Sequence, residues 1–99
     1  MPIGNSGTTR LTSDNPVGAS GEPIRLFNVT WLSGGGGAGV LVLRNGISAA
    51  GTIYVQQVAS AASVTNTISF EEGLLFPGGC WFDKDANVAA VVAEFVEEV

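Results

Sequence analysis

The sequence contains no histidine and a single cysteine. Without histidine the chain has neither the usual general base at neutral pH nor an imidazole metal ligand. The lone Cys80 excludes an intrachain disulfide, and one thiolate cannot hold zinc. Because Cys80 lies between Gly79 and Trp81 in an apolar setting, we predict a small buried hydrophobic side chain rather than a reactive thiol.

Charge is also scarce: Asp, Glu, Lys and Arg make up 13% of the chain, and the net charge is −5. The four cations are scattered along the sequence, whereas binding to nucleic acid or to an anionic membrane requires a cluster of them. No run approaches the roughly 20 apolar residues of a membrane-spanning helix, and residues 1–16 lack the apolar core of a signal peptide. A small chain with so little charge predicts a surface partly covered by other protein chains.

The carboxylates form no recognisable catalytic or metal site. Glu71 and Glu72 are adjacent, so on an extended chain they point to opposite faces and cannot act as an acid–base pair. Four residues match positions 1, 3, 5 and 12 of a calcium-binding loop: Asp83, Asp85, Asn87 and Glu94. Val88 replaces the glycine that the turn requires, so we expect a polar loop, with a less regular cation site at Asp83 and Asp85 left open. The sequence predicts no catalytic residues and no cofactor, and therefore no enzyme.

The segment Pro23–Val58 predicts a β-meander. Its glycine run, Ser33–Gly39, contains the G-x-G-x-x-G spacing of dinucleotide sites, but a strand follows where those sites have a helix, so we expect a plain connection. The Asn45-Gly46 pair then reverses the chain. Either the next strand resumes at once as a tight hairpin, or a loop runs to Gly51; the weak strand propensity of alanine favours the loop.

Alternation of apolar side chains assigns faces to the first of these strands. In Pro23–Leu32, Phe27, Val29 and Trp31 share one side, which we predict to face the core, while Ile24 and Leu26 share the other. Trp31 in particular is expected to be buried.

The second half of the chain predicts further short strands. Val64–Phe70 is expected to be a strand with Thr65, Thr67 and Ser69 on its solvated side, followed by a turn at 71–73. Two further strands are predicted at Leu74–Phe76 and Cys80–Phe82. Val88–Val99 fits one face of a helix and also fits a strand; its valines favour the strand, because branching at Cβ restricts χ1 in a helix.

These features predict an all-β fold, a single small antiparallel β-sandwich, jelly-roll-like, over residues 22–99. Residues 1–21 are too polar to bury a core of their own, so we expect an extended N-terminal arm that lies along a neighbouring subunit. Five residues are the predicted partner contacts, chosen from the arm and from the aromatic residues that are candidates for interface anchors: Ile3, Arg10, Leu11, Phe76 and Trp81.

Several phrases of the sequence carry a family resemblance: LSGG, LRNG, GTIYV, EGLLFPGGC and DANV, spread over about Phe27–Phe95. In these the chain resembles small virion structural proteins of tailed bacteriophages. The resemblance implies a non-enzymatic capsid decoration (cement) protein that bridges major capsid subunits and stabilises the head. It also implies a homo-oligomer, with a trimer as one arrangement, placed on the capsid surface after synthesis in the host cytoplasm. Alternatives are a head–tail, tail or fibre-associated component, or a carbohydrate-binding β-sandwich module.

Overall fold

The protein is built from β-strands. The computed structural model describes the backbone of residues 3–83 and 86–98 and the side chains of residues 7–83 and 86–97. Within those residues there are eight strands and no helix: β1 (Ile3–Leu11), β2 (Asn15–Val17), β3 (Ile24–Ser33), β4 (Val40–Asn45), β5 (Thr52–Val58), β6 (Thr65–Phe76), β7 (Cys80–Asp83) and β8 (Val88–Glu98). The all-β prediction is confirmed, and so is the choice of strand over helix for β8.

The strands form two antiparallel four-stranded sheets that pack face to face. Sheet I has the order β1-β8-β3-β6 and sheet II the order β2-β7-β4-β5. The pairs are nested: β4 pairs with β5, β3 with β6, β2 with β7 and β1 with β8. This is a long double hairpin, turned between β4 and β5 and rolled into two layers, which is the topology of a jelly roll. The predicted jelly-roll-like sandwich is confirmed.

The core lies between the two sheets and is filled by large side chains from both. Trp31, Phe76 and Phe82 are its largest members, and each is essentially inaccessible to solvent. The indole Nε1 of Trp31 donates a hydrogen bond to Oε1 of Gln57 at 2.6 Å, so the polar atom of this ring is satisfied inside the sandwich. Cys80 is 1% exposed and belongs to the same core, as predicted.

The N-terminal segment is part of the sandwich. β1 pairs with β8 through sheet I, and β2 pairs with β7 through sheet II. The sequence boundary drawn at Gly21 therefore does not separate an arm from a domain. A segment with few apolar residues can still be ordered, because backbone hydrogen bonds to β8 satisfy one edge of β1 and Leu11 packs against the core.

A β-bulge changes the face of β3 halfway along. Against β8, the register shifts between Leu26 and Asn28, which leaves Phe27 as an extra residue. Ile24 and Leu26 therefore point into the core before the bulge, and Val29 and Trp31 point into it afterwards. The predicted assignment of Ile24 and Leu26 to the opposite side, and of Phe27 to the core side, is wrong, because strict alternation was assumed.

Of three further strand and loop predictions, one is wrong and two are confirmed. The predicted turn at 71–73 is a bulge within the continuous strand β6, where Gly73 adopts φ +79°. The loop version of the Asn45-Gly46 reversal is confirmed, since β4 ends at Asn45 and β5 begins at Thr52. The glycine run connects β3 to β4, as predicted, and the backbone nitrogen of Gly34 donates to the carbonyl oxygen of Asn87 at 2.6 Å.

Candidate functional site: the outer face of sheet II

The outer face of sheet I is mainly polar, with Leu32 as an exposed aliphatic side chain. Thr30 and Thr67 face each other across β3 and β6 with 3.4 Å between their hydroxyl oxygens. In the next row, Nδ2 of Asn28 donates to Glu94 at 3.2 Å, and the hydroxyl of Ser69 donates to Asn28 at 3.1 Å. Such cross-strand pairs of hydroxyl, amide and carboxylate groups are typical of a sheet face in contact with water.

The outer face of sheet II is apolar. In β4, Leu41 and Leu43 are buried in the core, so Val40 and Val42 point outward. In β7, Cys80 and Phe82 are buried, so Trp81 points outward as well. Cross-strand register places three residues of β5 on the same side: Ile53 opposite Arg44, Gln56 opposite Val42, and Val58 opposite Val40. Gln56 is the polar one of the three. We call this surface the apolar outer face and define it by five residues: Val40, Val42, Ile53, Val58 and Trp81.

The apolar outer face is most accessible along β5. The exposed fractions of Ile53 and Val58 are 42% and 66%, while Val40, Val42 and Trp81 are half-buried by their neighbours. Valine, isoleucine and tryptophan side chains that occur singly on a surface need no explanation, but here they occupy adjacent strands of one sheet. Burial of the two β5 side chains by a partner would remove further apolar surface from water.

One ion pair lies within this surface. Nε of Arg44 donates to Oδ2 of Asp83 at 2.9 Å, and Nη1 of Arg44 donates to the carbonyl oxygen of Gly51 at the same distance. Arg44 stands between Trp81 and Ile53 in the cross-strand register. The guanidinium and the carboxylate therefore neutralise each other in the middle of an apolar surface, each only about a quarter exposed or less.

The Arg44–Asp83 ion pair involves a residue of the cation site that the sequence analysis left as an alternative at Asp83 and Asp85. Asp83, one of its two proposed ligands, already accepts a hydrogen bond from Arg44, and Asp85 lies outside the described residues. Among the residues that the structure describes, no group of three or more Asp, Glu, Cys or His side chains is arranged to hold a metal ion.

A second feature of this surface is the indole of Trp81. Its Nε1 is buried and has no hydrogen-bond partner among the described residues. A buried N–H without an acceptor costs about 1–3 kcal/mol, so this ring is held in place by packing rather than by a hydrogen bond.

The five predicted partner contacts are dispersed. Trp81 lies on the apolar outer face, whereas Arg10 is exposed on β1 of sheet I. Leu11 packs half-buried against the core, and Ile3 is paired with Glu98 in the backbone register, with its side chain outside the described part. Phe76 is 0% exposed, so its selection as a surface contact is wrong: it closes the core at the end of β6 and packs against the ring of Tyr54 at 5.2 Å.

The sequence analysis missed four of the five residues of the apolar outer face. The signal was present in the run Val40–Leu43, which is apolar on both sides of the strand instead of alternating. A strand with two apolar faces is typical of a sheet that is covered on both sides. For Ile53 and Val58 no such signal exists, because their side of β5 is defined only by the pairing with β4.

A shallow hollow of about 330 Å³ lies on sheet I, lined by Gly7, Thr8, Phe27, Glu94, Phe95 and Val96. Glu94 is its one carboxylate among the described residues, and it accepts a hydrogen bond from Asn28. The hollow brings together no nucleophile, base and electrophile that could form a reaction centre. The absence of catalytic activity stays a prediction.

Comparison with known proteins adds no relative: no protein-family model, no curated protein and no solved structure matches the chain. Within the described part of the chain, no helix has the length and the apolar character needed to cross a membrane.

Proposed function

We propose that this protein is a non-enzymatic structural protein of a tailed bacteriophage virion. Its role in the proposal is that of a capsid decoration protein, which binds the head surface, bridges major capsid subunits and stabilises the shell. The observation that carries the proposal is the apolar outer face of sheet II, whose most exposed members are Ile53 and Val58. A many-copy shell protein needs a permanent adhesive surface of this kind more than it needs a cleft.

The contrast between the two sheets supports a single bound side. Apart from Leu32, sheet I presents mainly hydrogen-bonded threonine, asparagine and serine side chains to water. Apart from Gln56 and the Arg44–Asp83 pair, sheet II presents mainly valine, isoleucine and tryptophan. A protein attached to a shell by one face and solvated on the other requires this asymmetry.

The Arg44–Asp83 pair makes the apolar outer face suitable for burial. When a partner covers a charged group, the desolvation cost is large unless that group already has its counter-charge and hydrogen bonds. Arg44 has both Asp83 and the carbonyl of Gly51. A partner can therefore cover this surface without having to supply a charge of its own.

The fold and the composition are compatible with a capsid decoration protein, but neither of them identifies one. Jelly rolls occur in viral capsid proteins, but also in lectins and cupins, so the topology alone is an analogy. The charged fraction of 13% is low for a small protein that is solvated on all sides.

The first test counts copies of the chain in purified virions by quantitative mass spectrometry against the most abundant shell protein. We expect a copy number comparable to that of the major capsid protein, and a shell that loses tolerance to heat and low salt without the chain. Tens of copies or fewer would instead indicate a tail or head–tail component, and absence from particles would refute the proposal. Binding of host glycans by the isolated chain would point to a carbohydrate-binding module.

The second test uses a matched pair of variants. Ile53 on sheet II and Leu32 on sheet I are aliphatic, and their exposed fractions are 42% and 40%. We expect Ile53→Lys to lower the binding of the protein to undecorated capsids at least tenfold, because it places a charge in the buried surface, while Leu32→Lys binds as the unchanged protein does. Equal binding by both variants would place the capsid contact elsewhere.

A further inference from the structure

The two sheets have four edge strands, β1 and β6 in sheet I and β2 and β5 in sheet II. An edge strand presents unpaired backbone N–H and C=O groups, and proteins usually block such an edge with charge, proline, bulges or short length. β1 carries Arg10 and two glycines, and β2 has three residues with Pro16 at its centre. β6 carries Glu71 and Glu72 next to its bulge.

β5 has almost none of these protections. Its sequence, TIYVQQV, contains no charge, no proline and no glycine. Its one irregularity in pairing with β4 falls at Tyr54, and Val55–Val58 then run in regular register along Leu43–Val40. Ile53, Tyr54 and Val58 are exposed on this strand at 42%, 41% and 66%. An open edge with these properties is a template for another strand.

We propose that β5 pairs antiparallel with β5 of a second copy of this chain, which joins the two copies of sheet II into one eight-stranded sheet. In such a two-fold pair, residue i of one strand lies opposite residue j of the other, and j lies opposite i. Over a strand of only seven residues the two copies of any charge would stay close together, so an uncharged strand suits this pairing. β5 meets this condition, since its polar residues, Thr52, Gln56 and Gln57, are neutral.

The geometry also explains why association stops at two. Once both β5 strands are paired, the outer edges of the joined sheet are the two copies of β2. A three-residue strand with Pro16 cannot accept a further full strand, because proline lacks the N–H that a ladder requires. The proposal concerns the isolated protein and does not depend on attachment to a virion.

The test measures molar mass by sedimentation velocity over a range of about 5–500 µM, which covers the affinities expected of a weak dimer. We expect a reversible change from 10.1 kDa to twice that mass. In Gln56→Lys the edge carries a like charge on both copies, and the dimer should weaken at least tenfold. The matched control is Thr65→Lys, an exposed position on the β6 edge, which should dimerise as the unchanged protein does.

Hydrogen exchange supplies a readout that needs no variant. If β5 is the contact, amide exchange in residues 52–58 should slow as the concentration rises, while exchange in β6 stays constant. A protein that remains monomeric throughout, a trimer, an unchanged dimer in Gln56→Lys, or protection of another edge would each overturn the proposal.

Discussion

At the scale of single residues, burial of Cys80 makes the stability of the fold depend on pH in the alkaline range. Desolvation raises the pKa of its thiol from 9.0 to about 12 in the folded protein. Above pH 9 the unfolded chain therefore loses this proton while the folded chain keeps it, so the free energy of unfolding falls as pH rises towards 12.

We predict that this loss approaches about 1.4 kcal/mol per pH unit, the value that corresponds to one proton. The measurement is urea unfolding at several pH values between about 8 and 11, for the unchanged protein and for Cys80→Ala. All other titrating groups are common to both, so the advantage of the unchanged protein over the variant should shrink steadily above pH 9. A difference that stays constant over this range would contradict the prediction.

Single residues also show what a sequence can reveal about burial. Trp31 and Cys80 were assigned to the core correctly, because each stands in an apolar strand segment. Phe76 was misassigned because aromatic residues are common both in cores and at the centres of interfaces, so residue type alone does not separate the two. Its burial comes from Ile24, opposite in β3, and from Tyr54 in the other sheet. Contacts between residues so distant in sequence leave no local pattern.

At the scale of elements, the glycine run between β3 and β4 packs around the turn that precedes β8. A Cβ placed on Gly39 would overlap the backbone carbonyl oxygen of Asn87, whereas one placed on Gly35 would have only Ser63 Oγ near it, at 3.8 Å. A backbone atom cannot move aside without displacing β8. The two glycines therefore differ in their tolerance of a methyl group although the sequence around them is nearly uniform.

We predict that Gly39→Ala lowers the free energy of unfolding by about 1–3 kcal/mol or more, the usual range for overpacking. Gly35→Ala is the control from the same run, and it should be neutral or slightly stabilising, since alanine restricts the unfolded chain. Thermal or urea unfolding of both variants measures the difference. Equal effects would show that the loop is not held against Asn87.

The strands also show where the alternation of apolar and polar side chains predicts the faces of a strand and where it does not. The alternating pattern predicted the solvated side of β6 correctly, with Thr65, Thr67 and Ser69 outward. In β3 it assigned Val29 and Trp31 to the core correctly but failed for Ile24, Leu26 and Phe27. The bulge adds one residue without changing the local composition, so alternation cannot be carried across it. Gly73 was a usable signal: a glycine within a strand pattern often marks a bulge, but beside Glu71-Glu72 it was interpreted as a turn.

At the scale of the whole molecule, the all-β class and the jelly-roll-like form were predictable, while the asymmetry of the two sheets was only partly so. Strand count and turn spacing define the class. The apolar outer face depends on which strands become neighbours, and apart from the two-sided apolar run in β4 nothing local reports it. The same holds for β1, whose polar composition suggested an arm because its pairing with β8 is not local.

We predict that deletion of residues 2–12 destabilises the fold itself. Without β1, the strand β8 becomes an edge of sheet I, and the contact of Leu11 with the core is lost. The shortened protein should unfold at lower urea concentration and aggregate through the exposed β8. Arg10→Ala removes an exposed side chain without altering the strand, so it should leave the unfolding midpoint unchanged. Unaltered stability after the deletion would restore the interpretation of residues 1–21 as a separate arm.

The nested pairing of strands has a consequence for the order of events during synthesis. β4 and β5 are joined by a short loop and can pair as soon as both have left the ribosome. Within the sandwich, β1 is made before the other seven strands, yet its partner β8 follows only after residues 12–87 have been made. Until β8 has been made, β1 cannot form its native pair, and unpaired strands with exposed apolar surface make incomplete chains prone to aggregate. The sequence of β1 is mostly polar residues and glycine. A mostly polar sequence therefore suits a strand whose partner is the last strand of the sandwich to be made.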